Sequence, residues 1–583
     1  MTMTGAQILC ESLKREGVEV IFGLPGEAVL PAYDALYDYQ HRRELRHVLI
    51  RHEAAAGHAA GGYARSTGRI GVCLVSSGPA CTNLVTALAD AHMDSIPIVA
   101  FTGQVPTHLI GNDAFQEADN VGICRPCTKH NYLVKEVKEL AATIKEACHI
   151  ARSGRPGPVH VDLPQDVLVR RADFTYPEKV FLRSYNPTVE GHSGQIKKAA
   201  QAILKASRPV LCVGGGVISA DAAPELTGLA EQAQIPVAMT LMGIGAFPGD
   251  HPLCLGMLGM HGAWYTNTAV LRADLLIAVG CRFDERATGR PDAWCPEAKV
   301  IHIDIDPSSI AKNFRAEIPI VGDAKHVLVR LNKEVRQLDD GAWKESREAW
   351  WEQIKAWKAQ HPLRYDWSDA VIKPQHVIQE ASRLTAHLDP IVATDVGQHQ
   401  MWAGQYFTIR KPRHWLTSGG LGTIGYGLPA AIGAAVARPD ALVIALLGDG
   451  SFQMHMQELS TVVEEKLPLK IAIVNNRGHG LVRQWQDLFY GRRFIGVESS
   501  ARPDYVKVAE AFGVRGLRAA TPTEVTATWE QALAHPGPVL MEFVVDPAEA
   551  CFPMVPGGGA VGEMLLGRPG GDTTEDAHGA RSD

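Results

Sequence analysis

No apolar run in the 583-residue chain approaches the 18 or more residues that a membrane-spanning helix needs. The first residues, MTMTGAQILCESLKREGVEV, read as a helix and lack the apolar centre of a signal peptide, so a cytoplasmic protein is expected. An excess of basic charge is also missing. Lys and Arg number 57 against 64 Asp and Glu, a formal net charge of -7, which offers no footprint for a nucleic-acid backbone or an anionic membrane. The 11 cysteines show no framework spacing, which excludes a disulfide scaffold and fits reduced core thiols. One C-x-x-C, Cys124 to Cys127, has no second pair for a zinc ribbon and is read as structural. A hydrophobic share of 46% with 21% charged residues excludes disorder for most of the chain, leaving a small-molecule enzyme as the leading class.

At roughly 100 to 200 residues per domain, the length allows about three or four domains. Apolar strand-like runs alternate with helical stretches in three series, a pattern that predicts an α/β protein with parallel sheets. The first series, EVIFGLPG, RIGVCLVSSGPACTNLVTALADA and SIPIVAFTGQ, belongs to a domain over residues 1–180. The second, RPVLCVGGGV, ADLLIAVGCRF and KVIHIDIDP, marks a domain over 190–340. A helical connector follows over 341–371, where Trp343, Trp350 and Trp357 share one helix face and are read as packing residues. The third series, PIVATDVG, ALVIALLGDGSF, LKIAIVNNRG and GPVLMEFVVD, spans 372–550. A C-terminal segment over 551–583 ends in GRPGGDTTEDAHGARSD, expected to be disordered. No fixed-period repeat is visible, although the first and third domains are candidates for copies of one fold.

The strongest chemical signal lies in the third series. GDGSFQ follows an apolar strand, and with 24 residues intervening after Gly450 the next strand ends in Asn475 and Asn476. Asp449 offers a hard carboxylate oxygen and Asn476 an amide oxygen, while the glycines let backbone N–H groups approach phosphate. Octahedral Mg²⁺ would be completed by phosphate oxygens, water and a backbone carbonyl near Gly478. GDG alone is an ordinary turn; with the spaced NN it matches a thiamine-diphosphate signature. That cofactor needs a carboxyl group on another domain to share a proton with its aminopyrimidine. Glu53, opening the small-residue helix of RHEAAAGHAAGGYAR, is the candidate.

From about residue 5 to 565 the chain resembles the catalytic large subunit of acetohydroxyacid synthase, also called acetolactate synthase. The resemblance rests on FGLPGEAVLPAYDALYD, GYARSTGRIGV, TNLVTALADAHMDSIPIVAFTGQV, FQEADNVGICRPCTKHN, SGRPGPVHVDLP, LGMLGMHG, FDERATG, DVGQHQMWA, WLTSGGLGTIGYGLPAAIGA and LVRQWQDLFYGRRF. It implies three doubly wound parallel-sheet domains: pyrimidine-binding, central FAD-binding and diphosphate-binding. The implied activity is decarboxylation of pyruvate and condensation with a second pyruvate or with 2-ketobutyrate, in branched-chain amino acid biosynthesis. Implied partners are a homodimer or homotetramer, with room for a small regulatory subunit, and no nucleic acid or membrane.

The resemblance also assigns residues. Glu53, Phe115, Gln116 and Gly26 would serve the reaction centre, Glu53 acting on cofactor held by a neighbouring chain. Thiamine diphosphate would be held by Val396, Gly397, Gln398, His399, Gly422, Gly450, Ser451, Asn476, Gly478 and Leu481. Ile424 would be the wedge that bends it, a volume-conserving substitute for the usual Met. Asp449, Asn476 and Gly478 would hold Mg²⁺. For FAD, the glycines Gly214, Gly215 and Gly216 after a strand and the strand-end acid Asp304 suit a pyrophosphate and a ribose. The resemblance adds Arg155, Thr240, Leu241, Met260, His261, Gly262, Gly280, Arg282, Arg286, Ile305, Asp323 and Ala324. Substrate contacts fall on Trp485, Val482 and Gln165, with Trp485 favouring 2-ketobutyrate.

Several positions depart from the family pattern. Glu27, Ala54, Ala80, Gln165, Glu285 and Ala287 replace the usual residues, and NNRGHG stands where NNGYLG is common. None removes a group the chemistry needs. Glu27 and Gln165 change the charge near the family's substrate entrance. The alternative is a pyruvate oxidase or another FAD-containing thiamine-diphosphate carboligase.

Overall fold

A computed structural model describes residues 1–499 and 503–569. Three six-stranded sheets follow one another along the chain, and every pairing within them is parallel. Their strands are short, continuous runs such as VCLV, LLIAV and VIALL, buried on both faces because helices cover each side. The covering helices carry the complementary stripe. In Leu140–Arg152, for example, Leu140, Ala141, Ile144, Ala147, Cys148 and Ala151 face inward at spacings of three and four.

The first sheet comprises Val20–Leu24, Arg46–Leu49, Gly71–Val75, Ile98–Gln104, His130–Leu133 and Val159–Pro164. Numbered in chain order, they lie side by side as 2-1-3-4-6-5. The third sheet, Ile391–Thr394, Trp415–Leu416, Val443–Gly448, Lys470–Asn475, Arg515–Ala519 and Val539–Val544, has the same order. The second sheet differs. Pro209–Val213, Val237–Met239, Cys254–Met257, Leu275–Val279, Lys299–Asp304 and Ile318–Val321 are ordered 3-2-1-4-5-6, the arrangement of dinucleotide-binding folds. In such sheets the crevice for a ligand opens at the carboxyl ends of the strands where the order reverses. The three openings are therefore beside Val20–Leu24 and Gly71–Val75, beside Pro209–Val213 and Leu275–Val279, and beside Ile391–Thr394 and Val443–Gly448.

The first and third sheets share a core. Helix Glu53–Thr67 is buried almost all round and lies against helix Gly427–Ala437, and both are nearly free of bulky side chains. Phe22, Val48, Ala431 and Leu447 belong to the same apolar cluster. Small residues on both helices let the backbones meet.

Other features emerge only from the coordinates. Thr2–Thr4 forms a strand antiparallel to Arg171–Asp173, closing the first domain. In helix Lys344–Gln360, Trp350 is buried and meets Trp357 edge-on at 5.5 Å, consistent with a packing face. Beside it the buried Arg347 donates to the carbonyls of Ile203, Ala206 and Ala233, capping the ends of two helices. The segment after Cys551 folds back onto the central domain, where Val555, Val561 and Met564 are buried. Of the tail expected to be disordered, residues 570–583 lie outside the described residues. All 11 cysteines are buried free thiols. Among the described residues no helix is long and apolar enough to cross a membrane.

Candidate active site

The third sheet's opening collects most of the diphosphate candidates. Asp449 starts the turn after Val443–Gly448 and is buried, which pushes its carboxyl up to about 6. Asn476 follows Lys470–Asn475. Its amide oxygen lies 3.2 Å from Asp449 Oδ1 and 2.8 Å from the Gly478 carbonyl. Turning the amide over would pair its nitrogen with those oxygens, but would set its oxygen against Gln398 Oε1, which now accepts from Asn476 Nδ2 at 3.0 Å. Gln398 has no freedom to turn in response, since its own Nε2 donates to Gln484 Oε1 and to the Glu549 carbonyl. Three oxygens thus face one another, and a hard divalent cation fits that donor set.

Around them lie the other candidates. Gly397 takes φ +149° before helix Gln398–Tyr406, and Val396 N donates to Asp395 Oδ1. His399 is buried against Gly448, its imidazole pushed down to about 3, and its Nε2 has no hydrogen-bond partner. Ser451 Oγ donates to the Gly448 carbonyl. A Cβ on Gly450 would stand 2.8 Å from the His479 ring. Gly422, at φ +72°, and the 42%-exposed Ile424 sit on the loop between Ser418 and Gly427. Leu481 and Val482 lie on helix Gly480–Phe489 with Trp485, whose ring meets Phe489 at 5.5 Å and the Arg286 guanidinium at 6.0 Å.

The first sheet's opening gathers a second group. Glu53 opens its helix behind the His52 cap, half-buried, and accepts from Asn83 Nδ2 at 3.0 Å. Gly26 abuts Ser76, where a Cβ would meet Oγ at 2.4 Å, and Gly78 abuts the Gln116 carbonyl. Gln116 has φ +58°, Phe115 is 81% exposed, and Gln165 Nε2 donates to the Glu27 carbonyl. Among the described residues no hydrogen bond links this group to Asp449 or Asn476.

Between the first and second domains lies a cavity of about 430 Å³, a size suited to a small-molecule ligand. Arg155, Gly215, Gly216, Gly280, Arg282, Asp304, Ile305, Asp323 and Ala324 all line it. Gly214 sits behind, its missing Cβ making room for the Gly280 carbonyl. Arg155 donates to Ser95 Oγ and Asp306, and Arg282 to the Met93 carbonyl, so the two cations bridge the domains. Burial raises Asp304 to about 6. Thr240 caps the neighbouring turn, and the Leu241 carbonyl accepts from Trp415. Met260, His261, Gly262 and Arg286 form a separate cluster towards Trp485: Met260 N donates to the Arg286 carbonyl, and buried His261 has an unpartnered Nε2. Two cations, a glycine turn and a strand-end acid fit an anionic dinucleotide.

The chain matches three thiamine pyrophosphate enzyme families in order: the N-terminal TPP binding domain over residues 3–123, the central domain over 196–331 and the C-terminal TPP binding domain over 395–543. It is 50% identical over 571 residues to the probable acetolactate synthase large subunit of Methanocaldococcus jannaschii, covering 97% of this chain and 95% of that one. The chain belongs to the acetolactate synthase large-subunit family. Identity is 46% over 578 residues to the acetolactate synthase large subunit of Haemophilus influenzae, covering 98% of this chain and 99% of that one. To the acetolactate synthase isozyme 3 large subunit of Escherichia coli it is 47% over 571 residues, covering 97% and 99%.

Within this acetolactate synthase fold, several residues that lie inside the quoted motifs were given no role by the sequence. Asp395 is buried and accepts from the backbone N–H groups of Val396, Gly425 and Gly427, tying two cofactor loops together. Its place at the end of an apolar strand was a signal that could have found it. Asp90 and Asp94 reach from the first domain to the loop after Trp415–Leu416: Asp90 accepts from Ser418 and Thr423, Asp94 from the backbone of Gly419 and Gly420. Arg65 pairs with both acids. The motifs that contain these three residues give no sign that they meet as a buried triad.

Proposed function

We propose that the chain is the catalytic subunit of an acetohydroxyacid synthase. It decarboxylates pyruvate and joins the remaining two-carbon unit to a second pyruvate, giving 2-acetolactate, or to 2-ketobutyrate, giving 2-aceto-2-hydroxybutyrate. This is the first common step towards valine, leucine and isoleucine. The convergence of Asp449, Asn476 and Gly478 oxygens at a strand-order reversal carries the reading, together with the family membership.

Those three residues would hold Mg²⁺, with Gly450, Ser451 and the Val396–His399 turn receiving the diphosphate. Thiamine diphosphate supplies, when bound, an electron sink for the carbon that loses CO₂. Glu53 would hold a proton for the aminopyrimidine, and Ile424 would pack against the bound ring system. Phe115, Gln116 and Gly26 exclude water and orient the acceptor, while Gln165 and Val482 border its path and Trp485 packs on its alkyl end. The cavity between the first two domains would take FAD as a structural group, and the cluster at Met260, His261 and Arg286 its remainder.

A second copy completes the site in this reading. Among the described residues no hydrogen bond links Glu53 to Asp449 within one chain, and Phe115, Ile424, Met454 and Val482 present exposed apolar surface beside the two groups. A homodimer or homotetramer follows. The large-subunit names of the relatives support a small regulatory partner, and the net charge of -7 favours neither nucleic acid nor membrane, in keeping with the cytoplasmic enzyme proposed.

The test supplies pyruvate, thiamine diphosphate, Mg²⁺ and FAD and follows acetolactate by NMR. Acetolactate without net flavin reduction is expected, and Glu53→Gln should abolish it. Stoichiometric bleaching of flavin on anaerobic mixing with pyruvate would instead establish an oxidase.

A further inference from the structure

Helix Gly480–Phe489 has a single buried residue, and it is a polar one, Gln484. Burying an amide is costly unless each of its groups finds a partner. Here both ends do. Gln484 Oε1 accepts from the Cys551 backbone N–H at 2.8 Å and from Gln398 Nε2 at 2.9 Å, while its Nε2 donates to the Cys551 carbonyl at 3.0 Å and approaches Met554 Sδ at 3.2 Å. A backbone N–H and C=O on one residue cannot exchange roles, so Cys551 determines which end of the Gln484 amide is oxygen. Gln484 in turn determines the sense of Gln398, and Gln398 that of Asn476. The last bond passes directly in front of Gly480, where a Cβ would stand 2.0 Å from Gln398 Oε1 and 2.1 Å from Asn476 Nδ2.

We propose that Gln484 is a positioning residue for the cation site, acting through Gln398 to hold the Asn476 amide oxygen towards Asp449 and the Gly478 carbonyl. The alternative state is well defined. With Asn476 turned over, its nitrogen would donate to Asp449 Oδ1 and to the Gly478 carbonyl, placing N–H groups where the cation belongs. In that state Gln398 Oε1 loses its donor and faces the Asn476 oxygen, a contact that the Gln484–Gln398 bond keeps Gln398 from relieving, so the relay opposes the turned-over state. The relay also ties the cation site to helix Gly480–Phe489, which carries Trp485, and to the returning C-terminal segment. Outer-shell partners of this kind change metal affinity by about 10- to 100-fold when removed.

The inference rests on the cation site proposed above, and the experiment separates the two. Apo full-length enzyme is titrated with Mg²⁺ at saturating thiamine diphosphate, and cofactor binding is read by calorimetry, without turnover. Gln484→Leu should raise the half-saturating Mg²⁺ concentration about 10-fold or more. Gln484→Glu keeps an oxygen for Gln398 Nε2 and the Cys551 N–H, and should stay within about 3-fold of wild type even though the buried charge lowers its melting temperature. If Gln484→Leu does not fold, Gly480→Ala strikes the same bond and should give the same shift. An unchanged Mg²⁺ requirement in a folded Gln484→Leu or Gly480→Ala variant would overturn the relay while leaving the cation site standing. Wild-type enzyme whose cofactor binding ignores Mg²⁺ would overturn the cation site and the relay together.

Discussion

A Cβ placed on Gly433 would lie 1.9 Å from the carbonyl oxygen of Ala59, and one on Gly62 would lie 2.1 Å from that of Ala430. The two helices that join the first and third domains therefore touch backbone to backbone at two points, each with a glycine facing a carbonyl. Rigid backbone cannot yield as a flexible side chain can. Gly433→Ala should cost about 1–3 kcal/mol or more, as overpacking does. A fall in the urea midpoint of the isolated variant measures it. Gly61, by contrast, has only Ile98 Cδ1 at 3.6 Å and should accept Ala nearly without cost.

The buried triad of Arg65, Asp90 and Asp94 makes a pH prediction. Burial, with the adjacent Asp94 charge, pushes the Asp90 carboxyl up to about 7, against the opposing pull of Arg65. Unfolded Asp ionises near pH 4, so between about pH 4 and 7 the folded state holds more protons than the unfolded one, and stability from this group falls as pH rises. Asp90→Asn cannot ionise. The difference in melting temperature between wild type and Asp90→Asn should move against wild type across that window and level off above about pH 8.

Filling the cavity between the first two domains, proposed above to take FAD, should be selective. Gly215 lines it, and a Cβ there would stand 3.3 Å from the Met242 carbonyl, a tight contact that a small shift of the neighbouring turn can admit, so a larger side chain takes up room in the cavity. Gly215→Val should give folded protein whose flavin absorbance per chain drops several-fold. Full flavin occupancy in that variant would place the dinucleotide elsewhere.

Substrate choice is expected to follow Trp485. Its ring is clasped by Arg286 on one side and lies over Gly557, where a Cβ would meet it at 2.8 Å. One methylene of substrate is worth about 1–3 kcal/mol in an apolar contact. Trp485→Leu should lower the ratio of acetohydroxybutyrate to acetolactate by roughly 10-fold or more in competition between 2-ketobutyrate and pyruvate. The departures Glu27 and Gln165 are already in mutual contact through the Glu27 carbonyl.

Much of this was legible without coordinates. Strands buried on both faces must be continuous apolar runs, so the three α/β series could be seen, and Asp449 and Asn476 stand out as candidates because the GDG turn is paired with a spaced NN at the end of the next strand. Other relationships leave no local mark. The shared 2-1-3-4-6-5 order of the first and third sheets is invisible to repeat searching, because topology constrains burial and turn chemistry but not residue identity. Gln484 reads as an ordinary polar residue on an amphipathic helix, and Asp90 and Asp94 as helix-surface acids. Their partners lie 67 to 328 residues away along the chain: Gln398 and Cys551 for Gln484, Ser418 and Gly420 for the two acids.

Sequence alone determined the element types, the chemical identity of each strand-end group and the family, since these depend on short-range periodicity and on residues that chemistry cannot exchange. Only the tertiary structure decided which strand ends lie side by side, which amide oxygen faces the cation site and which acids share a buried cation. The reason is physical: orientation and protonation are set by the partners a group meets after folding, and those partners come from segments whose meeting depends on the packing of the whole chain.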